Sequence, residues 1–98
     1  MATYVCLLNW TEQGGKNVKD THKREAAFAK SVQKLDVRVV QCYWTLGRYD
    51  GVMILEGPND EAMTAAALSL GALGNVRTQT LRAFNAEEID KIVAKMVP

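Results

Sequence analysis

Two runs rich in β-branched and aromatic residues, Val37 to Leu46 and Val52 to Glu56, are separated only by Gly47-Arg48-Tyr49-Asp50-Gly51. A link this short between two strand-forming segments returns the chain on itself, so the pair is an antiparallel hairpin. Everything else in the chain has to be arranged around that hairpin. Upstream, Tyr4 to Trp10 is another strand-forming run, closed by Thr11-Glu12-Gln13-Gly14-Gly15, where paired glycines predict a loop. Between this run and the hairpin, Thr21 is placed to N-cap a helix from about His22 to Leu35. Its apolar side is Phe28, Ala29, Val32 and Leu35, with Val18 packing from the preceding turn.

Downstream of the hairpin, Gly57-Pro58 stops the strand. Asn59 follows as an N-cap, with Asp60 and Glu61 in the first turn facing the positive end of a helix that runs to about Gly74. The body of that helix, Ala62 to Leu70, is small on nearly every side. Small residues allow close approach to a sheet and tolerate a second contact, although good helix propensity explains the same composition. Val76 to Phe84 alternates as a fourth strand. Asn85 and Glu88 form a capping pair for a last helix, in which Ile89, Ile92, Val93 and Met96 recur at helical spacing.

Strand, helix, strand, strand, helix, strand is the order of an α+β, ferredoxin-like βαββαβ unit with an extra C-terminal helix. Right-handed crossovers put both long helices on one face of a four-stranded antiparallel sheet ordered 4-1-3-2. With no tandem repeat and no low-complexity linker, residues 1–98 read as one domain. Such a sheet ordinarily turns a polar face to water. Here the alternate sets Tyr4, Cys6, Leu8, Trp10 and Thr3, Val5, Leu7, Asn9 are both largely apolar, as are Val40, Cys42, Trp44 and Val39, Tyr43. Both faces call for burial, and a short terminal helix is all that remains to cover the second. A homodimer formed through the sheets meets that need.

Twelve basic against eleven acidic residues give a net charge of +1. That lacks the electrostatic footprint of a nucleic-acid-binding domain. The opening residues have no basic n-region and too short an apolar run for a signal peptide or a membrane span, so a cytoplasmic protein is expected. Cys6 and Cys42 lack metal-ligand spacing, and the one histidine, His22, is far from both in sequence, so no metal site is expected. In the expected sheet the two cysteines are separated by an intervening strand, about 9–10 Å apart, which is beyond disulfide reach. Gly14-Gly15-Lys16 lacks the spacing of a phosphate loop, and nothing else implies a cofactor.

Strand parity collects a mixed polar set on one face: Asn9, Gln41, Tyr43, Thr45, Glu56, Thr78 and Thr80. In a half-apolar cavity Glu56 would act as a general base, with Tyr43 or Asn9 donating to a developing oxyanion. The structural alternative makes Glu56 a rim carboxylate paired with Arg77 or solvent. Gly47 and Gly51 can supply positive φ angles around Arg48, Tyr49 and Asp50. In a purely architectural turn Asp50 accepts backbone donors and Tyr49 covers the core edge. Arg48, Arg77 and Arg82 are suited to carboxylate or phosphate, and equally to ion pairs between subunits.

The tract Thr45-Leu46-Gly47-Arg48-Tyr49-Asp50-Gly51, with Leu73-Gly74-Asn75-Val76-Arg77-Thr78 and Leu81-Arg82-Ala83-Phe84, resembles the GYD-domain proteins, small stand-alone bacterial and archaeal domains. The likeness runs from about Tyr4 to Met96. His22 departs from it, because members commonly have proline there. The family has no settled reaction. The resemblance implies a dimeric α/β barrel, in which two ferredoxin-like sheets enclose a shared interior that often holds a small organic ligand. On that reading the chain is a homo-oligomeric small-molecule-binding module of sensory or carrier type, with Asn9, Tyr43, Thr45, Arg48, Glu56 and Thr78 at the ligand. The alternative is a cofactor-independent oxygenase, isomerase or decarboxylase using Glu56, Tyr43 and Arg48, and a protein partner at the edge strand or the alanine-rich helix is a third reading.

Overall fold

A computed structural model describes residues 1–98. The strands are β1 (Ala2–Trp10), β2 (Arg38–Trp44), β3 (Gly51–Gly57) and β4 (Val76–Ala83), and the helices are α1 (Glu12–Lys16), α2 (Thr21–Ser31), α3 (Asp60–Ala72) and α4 (Ala86–Val93). Short 3-10 turns flank α2 at Val18–Asp20 and Val32–Leu35. The four strands form one antiparallel sheet in the order β2-β3-β1-β4, which is 4-1-3-2 read from the other edge.

Alternation on β1 and β3 sorts the side chains cleanly. Tyr4, Cys6 and Leu8 are buried with Met53 and Leu55 against Phe28, Val32, Met63 and Ala66, which α2, its closing turn and α3 supply. One face of the sheet is therefore the core. Residues paired across the opposite face include Val5 with Ile54 and Leu81, Leu7 with Val52 and Gln79, and Asn9 with Arg77. The long helices are both spent on the first set, so the second set is left open to the outside.

On β2 the register slips between Val39 and Gln41. Val39 pairs with core Leu55 and Cys42 with core Met53, which puts both against the helices, while Tyr43 pairs with Val52 of the open face. Plain alternation would set Val39 with Tyr43. The extra residue of a β-bulge reverses parity, and the face of everything upstream of it changes.

Three local details differ from expectation. The Thr11 to Gly15 segment is not a loop: Thr11 caps α1 by accepting from Gly14 N. Gly14 then lies so close to the link between α3 and β4 that a Cβ there would meet Asn75 O at 1.9 Å. Thr21 is not an N-cap; its hydroxyl donates back to Val18 O at 2.6 Å. Val18 is 42% exposed and does not join the core. The capping box of Asn85 and Glu88 and the Asn59 cap are present as read.

Candidate functional site

The hairpin link is held by β1 as well as by its own turn. Asp50 Oδ2 accepts from Trp10 N at 2.9 Å and from Asn9 Nδ2 at 3.4 Å, Asp50 N donates to Leu8 O at 2.8 Å, and Asn9 Nδ2 donates to Arg48 O at 2.8 Å. Thr45 closes the loop from the other side, its N–H to Asp50 O at 3.0 Å and its hydroxyl to Tyr49 O at 2.5 Å. Gly47 takes a positive φ of 102°, whereas Gly51 takes none and is buried under Leu8 Cδ1. Asn9, Thr45 and Asp50 thus act as architecture. The Arg48 guanidinium lies 5.8 Å from the Tyr49 ring centre, and the Tyr49 hydroxyl reaches Gln79 of β4 at 3.4 Å.

Glu56 stands at the other end of the same face. It is ion-paired with Arg38, its cross-strand neighbour, and not with Arg77. Glu56 is five residues along β3 from Gly51, about 17 Å from the hairpin link at strand spacing. Tyr43 is level with Val52 and so about 13 Å from Glu56 along the sheet. Thr78 and Thr80 are on the wrong face for the expected set. They pair with core-facing Leu8 and Cys6, so they look towards the helices, and Arg77 and Gln79 take their places on the open face. Sequence parity gives β4 the wrong phase, since both of its alternating sets are mostly polar and each carries one large apolar residue, Val76 on one and Leu81 on the other.

The open face therefore has an apolar centre of Val5, Leu7, Val52, Ile54 and Leu81, the last 43% exposed, edged by Asn9, Arg77, Gln41, Tyr43 and the Arg38–Glu56 pair. On the helix side, a cavity beside Leu8, Phe28, Cys42, Met53 and Leu70 holds about 60 Å³. That is far below the roughly 300–1,000 Å³ of small-molecule sites. A wider groove of about 740 Å³ lies between α3 and β4, bounded by Tyr4, Asp60, Leu68, Thr78, Thr80 and Arg82.

Electrostatics in that groove are already satisfied. Tyr4 donates to Asp60, the Arg82 guanidinium covers the Tyr4 ring at 5.6 Å and the Phe84 ring at 4.5 Å, and it stands 3.7 Å from Glu88. The backbone N–H of Asn85, with help from Arg82, holds the Glu88 carboxyl below its usual range. Sequence reasoning missed the Tyr4–Asp60 pair, because a tyrosine inside an apolar run carries no mark of its partner. Burial raises the Cys6 thiol and pushes Cys42 to about 11, where Glu25 adds to the effect. His22 packs edge-on against Trp44, ring centres 6.1 Å apart. No three His, Cys, Asp or Glu side chains cluster as a metal site would require, and no helix is long and apolar enough to cross a membrane.

Comparison with known proteins agrees on kinship. The GYD domain family model matches residues 4–93. A Thermus thermophilus protein named "Glutamine synthetase and cystathionine beta-lyase binding protein" is 30% identical over 90 residues, covering 91% of this chain and 95% of the relative. A crystal structure of a protein from Thermus thermophilus superposes with a TM-score of 0.57 at 25% identity, covering 88% of this chain and 96% of the other.

Proposed function

Because this chain belongs to the GYD domain family, we propose that it is a binding module without chemistry of its own, a homodimer that docks on metabolic enzymes. Residues 1–98 act as one ferredoxin-like domain, and two such domains face each other sheet to sheet as a dimeric α/β barrel. The observation that carries this reading is the open sheet face, with Val5, Leu7, Val52, Ile54 and Leu81 at its centre and charged or amide side chains at its rim. An apolar centre with a polar rim is the anatomy of a protein interface. The Thermus relative, named for binding two enzymes, supports a protein as the further partner. Against catalysis, Glu56 is already paired with Arg38 and is about 13 Å from Tyr43, so no acid–base pair converges on one atom within a protomer.

A second reading keeps a small organic molecule between the two sheets. It is favoured by Gln41, Tyr43 and Gln79 lying on the open face beside Leu7 and Val52. Native mass spectrometry of protein from its own host decides between them. A dimer that releases a defined small mass on collisional activation supports the second reading, and an empty dimer supports the first. Sedimentation at micromolar concentration tests the shared premise: the double substitution Leu7→Lys, Ile54→Lys should yield monomers. A wild-type monomer would remove both readings. Titration with the host's glutamine synthetase then tests enzyme docking, and no heat or complex at tens of micromolar would sink it.

A further inference from the structure

Helix α4 is amphipathic, and its own chain leaves its apolar side exposed. Ile89, Ile92, Val93 and Met96 are 43, 39, 54 and 74% exposed, and no residue of the helix is buried. The molecule measures 52 × 32 × 19 Å, with a radius of gyration of 14.9 Å. A compact chain of 100 residues has about 13 Å. Eight residues are too few for a helix to persist alone in water, so its apolar side needs a surface to pack on. The direction of α4 is set at its root, where the capping box and the Arg82–Glu88 contact tie its first turn to the end of β4.

The second unfilled feature is the groove between α3 and β4. Its helical wall presents Ala67, Leu68, Gly71 and Ala72, with Leu68 69% exposed, and its floor presents Thr78 and Thr80. Small residues on that wall admit the bulky side chains of another helix. The ionic groups at its upper end, Asp60 and Arg82, already have partners, so an apolar helix can enter without stranding a charge.

We infer that α4 of one protomer packs into the α3–β4 groove of a second copy, and that the exchange is reciprocal. A copy of this chain is the occupant that fits because each molecule offers one arm and one groove. A two-fold axis fills both arms and both grooves at once, whereas an unrelated partner in the groove leaves the arm bare. Area argues the same way. A stable pair needs roughly 800 Å² from each partner, more than a tenth of this chain's 6831 Å². The sheet face alone has five apolar side chains at its centre, and the arm brings four more. The inference rests on the homodimer reading and gives that dimer a second contact.

Cross-linking tests it. Leu68→Cys and Ile92→Cys are prepared as separate proteins, mixed and oxidised. A covalent heterodimer well in excess of either homodimer supports exchange. In the Leu68→Cys, Ile92→Cys double variant, a disulfide closed within one chain would mean that α4 folds back on its own groove, which overturns it. Ile89→Asp with Val93→Asp should raise the dimer dissociation constant at least tenfold while leaving the core's near-ultraviolet spectrum unchanged. If that variant dimerises like wild type while Leu7→Lys, Ile54→Lys is monomeric, the sheet dimer stands and the arm exchange falls. A small molecule or foreign protein found in the groove, without the cross-link, also overturns it.

Discussion

The phenol of Tyr4 on β1 donates a 2.5 Å hydrogen bond to Asp60 Oδ1 at the first residue of α3, 56 residues along the chain. It joins the middle of the core to the start of a helix. Burial, then the bond to Asp60 and its charge, push the Tyr4 pKa from 10.0 up to about 12. The folded protein thus holds this proton more tightly than the unfolded chain does. Stability from this site is complete below pH 10 and is lost as the pH rises towards 12. Chemical denaturation from pH 8 to 12 should show the decline, and Tyr4→Phe should flatten it while lowering stability at pH 7 by about 1–2 kcal/mol.

Asp50 ties the hairpin link to β1 through the Trp10 amide and the Asn9 side chain. Asp50→Ala leaves a half-buried amide without its acceptor, at a cost of about 1–3 kcal/mol. Amide exchange should quicken at Trp10 first. Asp50→Asn retains an acceptor oxygen and should lose less. Equal losses in the two variants would assign the effect to charge instead of the bond.

Gly14 marks a contact between backbones. A Cβ there would lie 1.9 Å from Asn75 O, and Gln13 and Thr11 hold the same loop through Leu73 O, Gly74 O and the Asn75 side chain. Backbone cannot swing aside as a side chain can. Gly14→Ala should destabilise by about 1–3 kcal/mol, whereas Gly15→Ala, with open space around it, should be neutral or slightly stabilising. Urea melts of the two variants check the contrast.

Cys6 and Cys42 are both free and stand level with Met53 on either side of β3. With the Cys42 pKa at about 11 and that of Cys6 raised by burial, little thiolate exists at neutral pH. Iodoacetamide at pH 7.5 should label the folded protein slowly and both thiols rapidly in denaturant. Rapid labelling of Cys42 in the native state would show that β2 opens locally.

How far the fold could be read from the sequence depended on what each strand had to bury. The β1 and β3 runs meet core on one side and carry apolar residues on both, and their order and pairing follow from the hairpin and the short links. On β4, Thr78 and Thr80 offer no such guide, and they face α3. The bulge at Val40 changes the phase of Val39, and no residue type announces a bulge in a β-branched run. Helix α1 is concealed by Gly14 and Gly15, which read as loop until Asn75 is brought against them by the fold. Site residues suffer most, because Asn9 and Asp50 are occupied with each other and Glu56 with Arg38, and only the folded arrangement reveals that polar groups have already found partners.

The bulge in β2 has a consequence for growth. β2 and β4 are the two outer strands, and a bulged border bends away from any strand that would add to it. One margin of the sheet is thereby closed to recruitment and the other is left regular. A sheet able to extend on both sides propagates into filaments. This one offers a single regular border, β4, so strand-by-strand addition has no second side from which to continue.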